Sequence, residues 1–218
     1  MINMKRSLTF LFTLLISVSC CFAAVALDRV VAVVNDDVVT QSELRSEMHN
    51  VTIQYQASGQ PVPPAQELRK MVLDHLIDKR LELQIAKQLK LHVSDQELNS
   101  VIQRIAASNR MTSSELLQRI QQEGIHIHTY KQNLREQLLL QKVQQHEVAS
   151  KITITPDEFN RALQSKKWKT RLGNKQPDAR TKKMIENDVL QQKFVTASKD
   201  WLTKIRGFAY IDIKPETP

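Results

Sequence analysis

The six histidines, His49, His75, His92, His126, His128 and His146, are the first residues to weigh for chemistry. Imidazole is both a common metal ligand and a base that titrates near neutral pH. The one close pair is His126-Ile127-His128, with Glu123 the nearby carboxylate, and a metal site would need two more ligands from elsewhere. The pair therefore reads as a solvated turn in a short connection between helices, and no metal site is expected. Asp36-Asp37 is a paired carboxylate, but it follows Asn35 between two β-branched runs, which is turn chemistry rather than acid–base chemistry. There is no glycine-rich phosphate loop and no G-x-S-x-G elbow, and Ser, His and Asp show no recognisable triad spacing. The two cysteines, Cys20 and Cys21, both fall in the leading apolar segment. A chain processed beyond them has no thiol for a nucleophile, a disulfide or a thiolate metal site. Nothing in this set argues for an enzyme, and no cofactor is expected.

The elements that would position any site are mostly helical. The chain has 218 residues, 41% hydrophobic and 25% charged, which excludes collagen-like, low-complexity and polytopic membrane classes. Four Gly and seven Pro are too few for an all-β chain, which needs a turn residue roughly every eight to twelve positions. Lys5 and Arg6 precede an apolar run from Leu8 to Val18 that is too short to span a bilayer and is followed by small residues. Residues 1–26 are thus expected to be a secretory signal peptide, cleaved near Ala23 to Ala26. Lipid attachment at Cys20 is not expected, because Ser17 stands where an aliphatic residue belongs. No later run is long enough to cross a membrane, so stable insertion is not expected either.

β-Branched Val30-Val31-Ala32-Val33-Val34, turn residues Asn35-Asp36-Asp37 and Val38-Val39 predict a small hairpin. Capping boxes then mark four helix starts: Thr40 with Glu43, Ser94 with Glu97, Thr112 with Glu115, and Thr155 with Glu158, the last with Pro156 at the first helical position. Leu73, Ile77, Leu81, Ile85 and Leu89 form an i+4 row beside Leu68, Val72 and Leu76, which predicts the central helix of the core. Gly124 suits a left-handed helix end, and Tyr130, Leu134, Leu138 and Val143 predict a further helix. Gln56 to Pro64 reads as a loop. The basic stretch from Lys166 to Pro177 shows no apolar periodicity and reads as a flexible connector. Beyond it, Leu190, Phe194, Ala197, Trp201 and Ile205 share one face of a long helix stopped by Gly207. Phe208 to Ile213 alternates like a strand, and because an isolated hairpin is marginal in water, the two chain ends are expected to meet in one small sheet.

The formal net charge is +8, and it is unevenly placed. Between Arg161 and Arg206 there are 13 basic and 4 acidic residues, so the rest of a processed chain is slightly acidic. Export argues against nucleic acid as the partner of this basic region; a solvated linker, or one that attracts acidic surfaces or client chains, is the expectation. Met48, Met71, Met111 and Met184 carry flexible thioethers that suit either core filling or an adaptable apolar groove.

In this order the motifs resemble the periplasmic chaperones of the SurA type. The pieces are Val31-Ala32-Val33-Val34-Asn35 with Val38-Val39-Thr40-Gln41-Ser42-Glu43-Leu44, then Leu76-Ile77 with Leu83-Gln84-Ile85-Ala86, and Val93-Ser94-Asp95 with Glu97-Leu98. Ile105-Ala106 with Asn109 and Met111-Thr112, Gly124-Ile125 with Tyr130 and Leu134-Arg135, and Ile152-Thr153-Ile154-Thr155-Pro156 with Glu158 continue the series. Trp201-Leu202, Ile205-Arg206 and Ala209-Tyr210-Ile211-Asp212-Ile213 resemble the family's closing helix and strand. The resemblance covers Asp28 to about Gln164 and about Ala179 to Ile213. Two local departures are Lys90, where the family tends to have Gly, and Ile127, where an aromatic is common. A larger one is that members usually carry parvulin-type prolyl isomerase domains where this chain has only a short basic segment, too short for a domain of about fifty residues.

The resemblance implies a mainly α fold, a multi-helix chaperone core with a small sheet formed by the N-terminal hairpin and the C-terminal strand. Its parts are expected to be a helical chaperone domain at 27–165, a basic linker at 166–178 in place of the parvulin domains, and a helix and strand at 179–218 that pack back. It implies an ATP-independent periplasmic holdase for unfolded outer-membrane β-barrel proteins, with the outer-membrane assembly machinery as a further partner. Met48, Val51, Ile53 and Tyr55, on the first helix and its loop, are the candidate client-binding residues. A periplasmic adaptor for one dedicated partner, or residual peptidyl-prolyl isomerase activity, are the competing readings.

Overall fold

The structure, a computed structural model, describes residues 28–173 and 176–215; the expected signal peptide and its cleavage site lie outside the described residues. Strands β1 (Val30–Val34) and β2 (Asp37–Thr40) form the hairpin. Helices α1 (Gln41–Ala57), α2 (Ala65–Gln88), α3 (Asp95–Ser108), α4 (Ser113–Gln122) and α5 (Ile127–Glu147) follow. After a 3₁₀ turn at Ala149–Lys151 come α6 (Pro156–Leu163), α7 (Lys166–Leu172), α8 (Ala179–Phe208) and strand β3 (Ile211–Ile213).

The two chain ends do meet. Strand order is β2-β1-β3, all antiparallel, with Val34 opposite both Asp37 and Ile211. One core joins this sheet to α1 and α2 through Val31, Val34, Val39, Leu44, Leu73 and Ile77, with Ile205 and Ile211 packed against it. A second core joins α3, α4 and α5 through Leu98, Ile102, Leu116, Ile120 and Leu134. Leu73, Ile77 and Leu81 of the expected i+4 row and all of Leu68, Val72 and Leu76 lie in the first core, so α2 is its axis, whereas Ile85 is half-buried and Leu89 is exposed just past the helix end.

Three of the four capping boxes close reciprocally, at Ser94/Glu97, Thr112/Glu115 and Thr155/Glu158. The fourth is half formed. The Thr40 hydroxyl accepts from the Glu43 amide, but the Glu43 carboxylate turns away to Arg80 at 2.6 Å, because Arg80 also reaches the Val38 carbonyl and locks α2 to the hairpin. Two of the boxed carboxylates serve a second purpose. Glu97 pairs with Lys142 of α5 and Glu158 with Lys193 of α8, and these cations, with the caps, hold both carboxyls at a pKa of about 2.

The ends of α2, α3 and α4 share one device. Lys90, Arg110 and Gly124 take positive φ (+54°, +58° and +83°), and the next amide in each case, Leu91, Met111 or Ile125, bonds back to a carbonyl in the last turn.

Several expectations need correction. The segment expected to be a flexible connector carries α7, held because Trp168 is buried and its Nε1 donates to Asp188 Oδ2 at 3.1 Å. Gly207 does not stop the last helix, which runs through Phe208. The strand after it is confined to Ile211–Ile213, the residues that face β1. Helix α1 extends into the expected loop and ends at Ala57. Of the histidine pair, His126 lies as expected in the exposed connection, at the N-cap position of α5 with no side-chain capping bond, whereas His128 belongs to the first turn of that helix.

Candidate functional site

The four sequence-derived candidates all sit on α1, but they do not share an environment. Met48 and Val51 are half-buried against the sheet–α1–α2 core. Ile53, one turn on from Asn50 and on the other side of the helix, is 49% exposed. It borders a recess of about 620 Å³ walled by α1, α2 and α5, with His75 and Leu76 on α2 and Gln137 and Leu140 on α5. Lys79 and Glu136 pair at 2.6 Å across the α2–α5 wall. Tyr55 is half-buried in the last turn of α1, where its carbonyl accepts from the Ser58 hydroxyl and the Gln60 amide and so shapes the turn into the loop. One candidate therefore lines the recess, two pack against the core instead, and the fourth shapes the end of α1.

A second recess, of about 500 Å³, lies between α8 and the α2–α5 pair. Phe194, Val195 and Leu202 give it apolar character, and Val195 is 59% exposed. Asp78, Gln144, Ser198, Lys199, Thr203 and Arg206 are its polar groups. Below it Glu82 is only 6% exposed and accepts from Gln144 Nε2 at 3.0 Å. Burial, opposed by that hydrogen bond and reinforced by the charge of Asp78, pushes the Glu82 carboxyl up to about 7. Ser198 Oγ is buried and makes no hydrogen bond among the described residues, so no base activates it.

A third apolar feature stands where α8 meets β3. Phe208 is 83% exposed beside a smaller recess floored by Leu81, Ile85 and Ile205, and Tyr210 projects nearby. Asn35 organises this corner. Its amide donates to the Tyr210 carbonyl and its Oδ1 accepts from the Tyr210 amide, both at 2.8 Å, while its Nδ2 donates to Gln84 of α2 at 2.7 Å.

Sequence reasoning did not single out the α8 recess or the Phe208 corner. The signal was there: Val195 and Leu202 repeat at i+7 outside the main apolar row of α8, and Phe208 lies past that row's end. Glu82 likewise stands between Leu81 and Leu83 in an apolar run, where a carboxyl is out of place. Among the described residues, no group of three or more His, Cys, Asp or Glu side chains is placed to hold a metal ion. Chemically, the α1–α2–α5 recess sets Ile53, Leu76 and Leu140 among polar and charged side chains, the α8 recess is more apolar, and neither holds an activated nucleophile among the described residues.

Residues 27–144 match the SurA N-terminal domain. The chain is 37% identical over 158 residues to Chaperone SurA of Photorhabdus laumondii, an alignment covering 72% of this chain and 36% of that protein. It is 39% identical over 139 residues to Chaperone SurA of Legionella pneumophila, covering 64% of this chain and 32% of that one. The chain thus spans about a third of the length of these curated relatives. A solved structure from Campylobacter jejuni, from work on the virulence factor PEB4 and the periplasmic protein Cj1289 as two SurA-like chaperones, superposes with a TM-score of 0.63. It shares 14% identity over 87% of this chain and 100% of its own, a likeness of fold.

Proposed function

The chain belongs to the SurA N-terminal domain family, and from that premise we propose that it is an ATP-independent periplasmic chaperone, a holdase that binds unfolded outer-membrane β-barrel proteins and assists their assembly. The observation that carries this reading is the recess between α1, α2 and α5, with Ile53 half exposed at its edge and Met48 and Val51 packed against the core. A holdase needs apolar surface that water still reaches, and it needs modest affinity so that a client leaves without an energy source. Barrel strands alternate apolar with polar residues and carry aromatic girdles, so they present a ribbon of side chains that such a recess can take in part. The α8 recess and the Phe208 corner extend the apolar surface on the other side of α2.

Prolyl isomerisation is not part of the proposal. The segment between α6 and α8, whose described residues form α7 and short connections, is too short for an isomerase domain, and among the described residues the recesses hold no group poised on a peptide bond. Export to the periplasm follows in this reading from the leading basic and apolar segment.

The test is aggregation of a urea-diluted outer-membrane barrel protein with and without the processed chain, alongside a prolyl isomerase assay on the same preparation. Suppression without isomerase turnover is the expected result. Turnover that survives stringent purification would restore the isomerase reading. Failure to suppress any of several barrel clients, with saturable binding to one folded protein, would replace the holdase by an adaptor.

A further inference from the structure

The densest charge in the fold lies away from every recess described above. Arg161, Lys166, Lys169, Arg171, Lys182 and Lys183, on α6, α7 and the first turns of α8, are all exposed, and none pairs with a described carboxylate. Elsewhere many cations are tied down, as Lys79 is to Glu136, Arg80 to Glu43 and Lys142 to Glu97. Between Arg161 and Lys183 the sequence has a single acid, Asp178, and it is spent capping α8 at the Thr181 amide, with Arg180 close by.

These cations are held in place. Trp168 anchors α7, its ring flanked by Lys167 and Arg171 at 5.2 and 5.4 Å from the centroid, and Lys167 pairs with Asp188 of α8. The arrangement works against the helix that carries it. Like charges at i, i+3 and i+4 repel, and Lys166 and Lys167 occupy the first turn, where the helix dipole favours anions. Helix α7 has no acidic residue to offset this. Folding gives no reason for the pattern, whereas an anion outside the chain does.

We propose that this cationic end docks reversibly on a bilayer surface that carries anionic phospholipid headgroups. None of these cations lines any of the recesses described above, so they suit a smooth, extended anionic surface better than an acidic peptide, which needs a groove to order its backbone. At such a surface each cation adds about five-fold to the partition without a pocket. Among the described residues no helix is long and apolar enough to cross a membrane, so attachment is peripheral and electrostatic. It is independent of client binding, whose recesses lie elsewhere.

Flotation of the processed chain with phosphatidylcholine vesicles, with and without phosphatidylglycerol, over a salt series tests this. Binding is expected only with phosphatidylglycerol and is expected to fade as salt rises. The K166Q/K169Q/R171Q variant is expected to bind about a hundred-fold more weakly, with a Trp168 emission maximum that stays blue-shifted in a W201F background as the sign that the ring is still buried and α7 docked. K182Q/K183Q, outside α7, supplies the same comparison if the triple variant loses that helix. No binding to anionic vesicles at low salt, or parental binding by both variants, overturns the proposal. So does capture by polyglutamate without vesicle binding, which would assign the face to an acidic polypeptide.

Discussion

Arg206 donates through Nη2 to the backbone carbonyl of Asp74 at 2.7 Å and through Nη1 to its carboxylate at 3.1 Å, so one side chain of α8 fastens the last helix to the axis of the core. Nε of the same guanidinium reaches Asp78 one turn further along α2. Removing it would leave two carboxylates facing each other with no cation between them. Because the group is about a third exposed, solvent discounts the loss. Arg206→Ala is expected to cost about 1–2 kcal/mol by urea denaturation. An unchanged midpoint would mean that α8 is held by its apolar face alone.

Glu82 sets a pH dependence. Its folded pKa of about 7 lies above its ordinary value of 4.5, so the folded chain binds this proton more tightly than the unfolded one. The stabilisation is complete below about pH 4.5 and is lost as pH rises through 7, a fall of up to about 3 kcal/mol. Glu97 and Glu158, held near 2, act in the opposite direction, and their contribution falls away only below about pH 4.5. Glu82→Gln keeps the partner Gln144 and is expected to flatten the curve between pH 4.5 and 7. A parental slope in that variant would show that another group titrates there.

Lys90 holds φ at +54° after α2, where a side chain is strained and glycine is not. Lys90→Gly keeps the Leu91-to-Ala86 bond that closes the helix, and it is expected to raise stability by up to about 1 kcal/mol in thermal unfolding. A loss of similar size would mean that the lysine side chain contributes more than the backbone strain costs.

Trp168→Ala tests whether 166–178 is a folded part of the molecule. Truncating a buried Trp costs about 3–5 kcal/mol in a well-packed site, and it would also leave Asp188 without one of its donors. A measurable loss of stability and of helical signal is expected. A silent substitution would return the segment to the role of a loose connector.

The sequence was most legible where a local rule and a tertiary need coincide. The capping boxes at Ser94, Thr112 and Thr155 could be read because a hydroxyl three residues before a glutamate satisfies helix-end amides whatever the fold does. The meeting of the chain ends could be read because a hairpin alone is unstable. What escaped reading depends on distant partners. Glu43 leaves its cap for Arg80, 37 residues away in sequence, and α7 exists because Trp168 finds Asp188, 20 residues on. Periodicity in a seven-residue basic helix is too short to register against its charges. The same limit applies to the site: position after the Thr40 cap puts Met48, Val51, Ile53 and Tyr55 on the first helix and its loop, but only α2 and α5 decide that Ile53 opens on the recess while Met48 and Val51 face the core.

Binding of unfolded barrel chains at the α1–α2–α5 recess is tested most directly at Ile53, its exposed apolar residue. Because this residue is half exposed, Ile53→Asp is expected to leave thermal stability within about 0.5 kcal/mol of the parent. Aggregation of a urea-diluted outer-membrane barrel protein should be suppressed by the parent and much less by the variant. Equal suppression by the two chains would contradict the placement of client binding in the α1–α2–α5 recess, and no suppression by the parent would contradict the holdase itself.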